Sequence, residues 1–365
     1  MDLAALSTPA RVADPGEDIS LEELRLAARN HAMLLEALRY DVTPIGLHYL
    51  LLHYDIPEVD PDRWTLVIDG AIARPLSLTL AELRARPAVT TPVTLECAGN
   101  GRARLEPRPV SQPWLDEAVG TAAWTGTPLA PLLDEAGIDS DAVDVVFTGA
   151  DHGIERGVEQ DYQRALPLSE AKRPEVLLAY GMNGGPLPPQ HGFPLRLIVP
   201  GWYGMTQVKW LRSITITGQP FTGYQNSVAY RLKQNPDEAG TPVTRIRPRA
   251  LIQPPGFPDF MSRARFLHLG EHTICGRAWS GTTPVTRVDI STDGGGTWEP
   301  TRLEPAASRW AWSRWTYQWH LDQPGTYQLV VRARDELTDQ STEQGWNVQG
   351  IANNMAHRIT VHATV

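Results

Sequence analysis

A proline-rich stretch at residues 234–258 separates two parts of the chain that differ in pattern. Proline-rich sequence with little hydrophobic periodicity is typical of a linker. Before it, strand-like segments alternate with short helical ones and with many glycine and proline turns. After it, short alternating segments with glycine-rich connections are typical of an all-β sandwich. We therefore expect the α+β class, with a mixed α/β domain followed by an immunoglobulin-like β-sandwich.

The elements predicted for the first part are short. Residues 20–40 are expected to be helical, because Ser20 and Glu23 form a capping-box pattern ahead of an apolar periodicity. Residues 77–86 have the pattern of a second helix. Four segments have the pattern of strands: 64–70, 143–148, 195–199 and 213–217. The chain has no regular βαβ rhythm and no GxGxxG motif, which argues against a doubly wound dinucleotide fold.

The second part contains four predicted strands, at residues 272–279, 286–291, 312–321 and 326–334. Its tryptophans are expected mostly in the core, because indole rings bury a large apolar surface; they are Trp298, Trp310, Trp312, Trp315 and Trp319. The predicted domain organisation is an N-terminal helical extension at 1–42, a first domain at 43–235 and a sandwich at 236–365.

Composition excludes several classes of protein. The net charge of −9 over 365 residues argues against nucleic acid as a partner. Two distant cysteines make neither a disulfide framework nor a zinc motif. No apolar run is long enough to span a membrane. Residues 1–18 lack a basic segment, an apolar segment and a twin arginine, so we expect a cytoplasmic protein.

Cys97 lies in the run TLECAGNGR, where an apolar, β-branched approach leads into a turn of small residues that ends at Arg102. A lone cysteine is most often a buried structural residue. A thiolate is also the soft ligand that a heavy transition metal prefers, and cationic neighbours lower the pKa of a thiol. The run alone leaves both interpretations open.

Five ordered blocks of sequence extend this motif. They are TLECAGNGR at 94–102, PW at 113–114 with VGTAAWTG at 119–126, LLAYGMNG at 177–184, HGFPLR at 191–196, and VPG at 199–201 with VKW at 208–210. Through these blocks the chain resembles the sulfite oxidase family of molybdopterin-dependent oxidoreductases. The resemblance covers nearly the whole chain, and its C-terminal part is similar to the family's dimerisation domain.

The resemblance implies a molybdenum centre held by a pyranopterin cofactor (molybdopterin), with Cys97 as the only protein ligand of the metal. It implies further cofactor contacts at Tyr54, Asp55, Asp151, His191, Arg196 and Lys209. The residue types at some of these positions agree with a cofactor-binding role. His191, Arg196 and Lys209 are cationic or polar groups flanked by glycine and proline turns, and Arg and Lys suit a bound phosphate.

For the substrate, the resemblance implies roles for Arg102, Trp114 and Tyr230. His53 and Gln349 instead align with positions where sulfite oxidases carry arginine. Loss of two charge-assisted hydrogen bonds costs about 3–6 kcal/mol. That is roughly 10²–10⁴ in affinity for a dianion. A protonated His53 would recover part of this, since histidine titrates near neutral pH.

The predicted activity is two-electron oxygen-atom transfer, with oxidation of sulfite to sulfate as the best single named reaction. The alternative within this family is reduction of nitrate or of an S- or N-oxide. A non-catalytic binding protein, or a cysteine hydrolase with His152 or His191 as its base, is the alternative of another class. The chain has no haem or iron–sulfur motif, so we expect an external electron carrier. A homodimer is implied by the resemblance.

Overall fold

A computed structural model of the chain describes residues 3, 7, 11–343 and 345–365. The remaining residues of the predicted N-terminal extension, 1, 2, 4–6 and 8–10, lie outside the described residues. The fold combines a mixed α/β first domain with a C-terminal β-sandwich, which confirms the predicted class. Within the described ranges, no helix is long and apolar enough to cross a membrane.

Two five-stranded sheets form the first domain. One has the order β2-β1-β10-β5-β6, and the other has β3-β4-β7-β8 with β9 beside β7. Their strands are β1 (Thr65–Gly70), β2 (Leu76–Thr79), β3 (Val89–Glu96), β4 (Val119–Pro128), β5 (Asp144–Glu155), β6 (Val158–Pro167), β7 (Leu177–Met182), β8 (Gly185–Pro186), β9 (Arg196–Ile198) and β10 (Leu211–Thr217). The four strands predicted for this part are confirmed. β11 (Arg231–Leu232) and β12 (Thr241–Pro242) form a short hairpin beyond them.

The sandwich consists of a four-stranded sheet, β13-β16-β20-β19, and a six-stranded sheet, β14-β15-β22-β21-β17-β18. Its strands are β13 (Arg249–Ile252), β14 (Phe257–Pro258), β15 (Arg265–His268), β16 (Gly270–Trp279), β17 (Val285–Ser291), β18 (Glu299–Pro300), β19 (Arg302–Leu303), β20 (Ser313–Leu321), β21 (Gly325–Asp335) and β22 (His357–Thr364). All four predicted strands are present. Trp312, Trp315 and Trp319 are buried as predicted, whereas Trp298 and Trp310 are only partly buried.

The α-helices of the described residues are short: α1 (Leu21–Ala27), α2 (Leu80–Arg84), α3 (Ala130–Ala136) and α4 (Leu168–Ala171). The 3-10 helices are Leu35–Arg39, Ile45–Leu47, Arg102–Arg104, Pro189–His191 and Gly204–Thr206, and a π-helix spans Gln225–Ala229. The helix predicted at 77–86 is wrong in its first turn, which is strand β2. Thr79 caps α2 through a capping box with Glu82.

The helix predicted at 20–40 is wrong beyond its first two turns. The Ser20–Glu23 capping box starts α1 as predicted. The helix then stops, because the Asn30 side chain donates to the Leu26 carbonyl at 2.9 Å and accepts from the Leu52 amide at 2.7 Å. After Asn30 the chain forms a bridge between His31 and Leu50 and then the 3-10 helix Leu35–Arg39. A local apolar pattern does not reveal these contacts.

The proline-rich stretch is only partly a linker, because it contains β13. Arg249 at the start of β13 is 1 % exposed and donates to Glu96 Oε1 at 3.0 Å and Asp116 Oδ1 at 2.8 Å. Both carboxylates belong to the first domain. Trp279 of the sandwich also donates to Glu96 Oε2 at 2.8 Å. The sandwich is therefore joined to the first domain by a buried polar network one residue from Cys97.

Candidate functional site

Cys97 follows directly after β3, where the chain leaves the sheet in a tight turn. The Cys97 amide donates to the Ala118 carbonyl at 2.9 Å, and the Asn100 amide donates back to the Cys97 carbonyl at 3.0 Å. Gly101 has φ +88°, a left-handed conformation that glycine adopts without strain. The chain then forms a 3-10 turn that begins at Arg102. The small residues of the motif thus bring Arg102 back towards Cys97.

Two cavities meet at Cys97. Leu51, His53, Cys97 and Tyr230 line both of them. The inner cavity, of about 60 Å³, is also lined by His48, Tyr49, Leu50, Leu95, Asp151, Tyr162, His191, Arg196, Gly204, Met205, Gln207 and Lys209. The outer cavity, of about 300 Å³, is also lined by residues that include Arg29, Tyr54, Arg102, Gln112, Trp114, Glu155, Arg156 and Gln349. The predicted site residues therefore divide into two groups on either side of the thiol.

Two cations and one carboxyl group line the inner cavity. Arg196 donates to the His191 carbonyl at 3.0 Å and lies 4.7 Å from the centre of the Trp124 ring. Lys209 Nζ donates to the Leu51 carbonyl at 2.8 Å. Asp151 is buried beside Gly149, where a Cβ would lie 2.3 Å from the Asp151 carboxylate. The backbone is thus packed closely around this polar group.

Several buried polar atoms of this cavity have no hydrogen-bond partner within the part of the chain that the structure describes. They are Asp151 Oδ1, Arg196 Nε and His48 Nε2. Leaving a buried polar atom unpaired costs about 1–3 kcal/mol, so such atoms indicate a missing polar ligand. Donors, acceptors and cations together fit a pterin with its phosphate.

Burial decides the charge states around this cavity. It lowers the pKa of His191 to about 2, with His48 and Arg196 lowering it further, so His191 is neutral. It also lowers the pKa of Lys209, an effect that Arg196 reinforces and Asp151 opposes. The pKa of Asp151 is raised by burial and lowered by Lys209. His191, one of the three residues predicted to contact the pterin and its phosphate, can therefore contribute hydrogen bonds but no positive charge.

The pKa of the Cys97 thiol does not follow the expectation that the cationic neighbour would favour the thiolate. Burial raises the pKa of Cys97, and this outweighs the opposing effects of Arg102 and the Trp114 N–H group. A thiol in this setting is deprotonated by a bound metal rather than by its surroundings. Among the described residues, no group of three or more His, Cys, Asp or Glu side chains could hold a metal. A metal at Cys97 would therefore take most of its ligands from a cofactor.

Arg102 is the buried cation of the outer cavity. It is 8 % exposed, with Nε donating to the Gln349 carbonyl at 2.9 Å and Nη1 to the Gln112 carbonyl at 3.0 Å. Its guanidinium lies over Gly99, where a Cβ would be only 2.6 Å from Nη2. Gln349 belongs to the sandwich and reaches the active site of its own chain. The side-chain amide of Gln349 donates to the Val228 carbonyl at 3.2 Å.

His53 and Tyr230 face each other at the boundary of the two cavities. His53 Nε2 lies 2.9 Å from the Tyr230 hydroxyl. Burial lowers the pKa of His53 to about 4, so His53 is neutral at neutral pH and does not supply the charge that its protonation would give. Burial raises the pKa of Tyr230, which therefore stays protonated. The Arg164 guanidinium lies 5.5 Å from the centre of the Tyr230 ring.

Two predicted cofactor contacts lie elsewhere. Asp55 is exposed and lines neither cavity. Tyr54 is buried against Gly153 and lines the outer cavity rather than the inner one. His152 also lines neither cavity and pairs with Asp161 at 2.9 Å on the surface. A hydrolase with His152 as base to Cys97 is therefore not supported.

The sequence analysis missed several residues of the site. His48 packs against the His191 ring at 5.5 Å, and Gln207 holds the strand that carries Arg196 by accepting from the Val199 amide at 2.6 Å. Arg156 reaches the outer cavity from the tip of the β5–β6 hairpin. The only sequence signal for Arg156 is its place before Gly157 between two alternating segments, which predicts a turn but no site.

Comparison with known proteins agrees with this geometry. Residues 53–225 match the model of the oxidoreductase molybdopterin binding domain, and residues 258–364 match the Mo-co oxidoreductase dimerisation domain. Sulfite oxidase of Gallus gallus is 34 % identical over 87 % of this chain and 72 % of its own length. A nitrate reductase [NADH] of Brassica napus is 32 % identical over 87 % of this chain, which spans only 38 % of that enzyme.

Among solved structures, the sulfane dehydrogenase SoxCD from Paracoccus pantotrophus has a similar fold. Its TM-score is 0.79 at 25 % identity, over 98 % of this chain and 90 % of that one. The two domain matches, the extent of the likeness and the position of Cys97 between the two cavities agree with one another. The chain belongs to the sulfite oxidase family of molybdopterin-dependent oxidoreductases.

Proposed function

We propose that this protein binds its molybdenum cofactor in the inner cavity and oxidises or reduces a small substrate in the outer one. The observation that carries the proposal is that Cys97 and Tyr230 line both cavities, while Arg102 lines the outer one. Molybdenum bound there supplies two-electron oxygen-atom transfer. Cys97 would be its protein ligand, and Asp151, His191, Arg196 and Lys209 would hold the pterin and its phosphate.

Arg102 and Tyr230 position the substrate. Two of the Arg102 nitrogens are fixed on backbone carbonyls, so its remaining N–H groups are held in place before an anion arrives. Such preorganisation lowers the entropy cost of binding. The Tyr230 hydroxyl can donate to a substrate oxygen when His53 Nε2 donates to the Tyr230 oxygen. Trp114 is buried in the same apolar cluster as Cys97 and lines the outer cavity.

Sulfite oxidation is the first reaction to test. The anion would be held by Arg102, while His53 and Gln349 leave the site with less positive charge than two further arginines would give. A sulfite oxidase with this pocket is expected to bind its substrate weakly, at high KM. Sulfite is a small ion, and a cavity of about 300 Å³ leaves room for a larger substrate.

Reduction of nitrate or of an S- or N-oxide is the second candidate. Neutral His53 and Gln349 favour a singly charged or neutral substrate, because fewer charges then need compensation. The likeness in fold to the sulfane dehydrogenase SoxCD adds sulfane sulfur to the compounds worth testing.

The electron partner and the assembly are also proposals. An external electron carrier would complete the reaction, and the dimerisation-domain match supports a homodimer through the sandwich. A twofold pairing is the commonest form of homo-oligomer. The cytoplasmic location and the lack of haem or iron–sulfur groups stay predictions from sequence.

The test is a dye-linked substrate panel on protein from a cofactor-competent host, with molybdenum quantified in each sample. Sulfite oxidation by wild type and its loss in Cys97→Ser would support the proposal. Cys275→Ser is the matched control, because Cys275 lies in β16 of the sandwich beside Gln253. Activity retained by Cys97→Ser would overturn the assignment. Turnover of nitrate or an oxide, without sulfite turnover, would favour the second candidate.

A further inference from the structure

The β5–β6 hairpin ends in a two-residue turn made of Arg156 and Gly157. Glu155 pairs with Val158, and the turn residues have φ of +50° and +80°. Both angles lie in the left-handed region, which gives a turn that matches the twist of a hairpin. A long side chain such as arginine rarely occupies this conformation, because its Cβ crowds the backbone. The turn therefore holds Arg156 in a conformation that asparagine or glycine would adopt at lower cost.

The Arg156 side chain lines the outer cavity without a protein partner. It is partly buried, and no residue in the described ranges makes a hydrogen bond or ion pair with it. Glu155 lines the same cavity, where its Oε2 accepts from the Gln225 amide at 2.8 Å, and among the described residues it forms no ion pair with Arg156. A guanidinium offers five N–H donors in a planar fork that matches an oxyanion. Arg156 thus presents unused donors and a full charge to the cavity.

Arg102 and Arg156 approach the same space from different elements. Arg102 comes from the 3-10 turn after Cys97, and Arg156 comes from the hairpin tip. Burial lowers the pKa of Arg102, and the charge of Arg156 lowers it further. Two guanidinium groups around one cavity repel each other, and a bound anion removes that repulsion. An anion bound between them would therefore be stabilised by both.

We propose that Arg156 is a second anion-binding residue of the substrate cavity, acting opposite Arg102. It would supply the positive charge that neutral His53 does not. This inference rests on the proposed function for the identity of the substrate, but not for the binding of an oxyanion. Arg156 reaches the cavity from the hairpin tip and not from the segment that carries His53.

The experiment measures sulfate binding to the holoenzyme by titration calorimetry at constant ionic strength, beside sulfite KM and kcat. The variants are Arg156→Gln, Arg156→Lys and Arg302→Gln. Arg302 is exposed on the sandwich, so its loss changes the net charge equally and leaves the cavity intact. We expect Arg156→Gln to weaken sulfate binding about tenfold. The sulfate affinity of Arg156→Lys should stay within about threefold of wild type, and the sulfate affinity of Arg302→Gln should equal that of wild type.

The outcomes separate this inference from the proposed function. Wild type that fails to oxidise sulfite, with sulfate binding that still depends on Arg156, would refute sulfite as the substrate and support the anion site. A tenfold rise in sulfite KM at constant kcat in Arg156→Gln would support both. Equal sulfate binding by Arg156→Gln and wild type would overturn the inference, as would equal weakening by Arg302→Gln. Wild type that binds no sulfate would overturn it as well.

Discussion

Replacing Arg249 with methionine tests the buried link between the sandwich and the Cys97 turn. Arg249 and Glu96 are each 1 % exposed and Asp116 is 3 % exposed, so water cannot solvate the carboxylates once the guanidinium is gone. Removing one partner of a buried ion pair costs about 3–5 kcal/mol. Two lost charge-assisted hydrogen bonds give a similar figure, about 3–6 kcal/mol. Asn100 and Trp279 would still donate to Glu96.

The assay is urea unfolding followed by tryptophan fluorescence. With an m value of about 3 kcal/mol/M, a loss of about 3–5 kcal/mol should lower the midpoint of Arg249→Met by roughly 1–1.7 M. Arg287→Met is the matched control. Arg287 is 55 % exposed and pairs with Asp289 at 2.6 Å in the sandwich, so its loss should cost less than about 1 kcal/mol. Equal midpoints for the two variants would refute the reasoning.

A second variant separates charge from packing. Burial already raises the pKa of Glu96, so Glu96 is the carboxyl group that protonates most readily when Arg249 is lost. Adding Glu96→Gln to Arg249→Met removes the unpaired charge, and we expect part of the lost stability to return. A carboxyl group with a raised folded-state pKa binds its proton more tightly when folded. The stability of Arg249→Met should therefore fall as the pH rises through that pKa.

Two further substitutions test the two cavities. Lys209→Met should reduce the molybdenum retained after gel filtration about tenfold, because a buried charge-assisted donor is lost. Lys172→Met, on the surface beside Asp134, is the control. Full retention of molybdenum in Lys209→Met would contradict the cofactor role of Lys209. His53→Arg should lower the sulfite KM by about tenfold or more, because it adds a charged donor to the cavity. His320→Arg, at an exposed position, is the control and should leave the KM unchanged. An equal fall in KM in both variants would contradict recognition of the anion by a charge in the cavity. Since the pKa of His53 is about 4, wild type should show no gain in sulfite affinity from protonation of His53 between pH 8 and pH 5.

The strands and the cysteine turn could be read from local pattern. β3 ends at Glu96 just before Cys97, and the glycines of the motif supply the turn that local sequence demands. The sandwich strands follow from alternation between apolar and polar residues. The helix over 20–40 could not be excluded, because Asn30 ends it through contacts with residues distant in sequence. β13 could not be predicted from its proline-rich sequence, because it forms by pairing with β16, which is distant along the chain.

The site residues could be predicted from sequence only where they lie within the family motifs. The blocks around Cys97, His191 and Lys209 pointed to residues that the fold brings together. Charge states were not readable, since the neutral His53 and the raised pKa of Cys97 come from burial by distant segments. Arg156 was invisible because a hairpin of ordinary composition carries it to the cavity. Asp55 was predicted as a cofactor contact, but it is exposed and lines neither cavity.

The central claim is that Cys97 is the protein ligand of a molybdenum centre at the junction of the two cavities. Molybdenum K-edge X-ray absorption on wild type, Cys97→Ser and Cys275→Ser tests it most directly. The account predicts that molybdenum-loaded Cys97→Ser has one sulfur neighbour fewer than wild type, whereas Cys275→Ser keeps the wild-type number. An unchanged sulfur count in Cys97→Ser would contradict it.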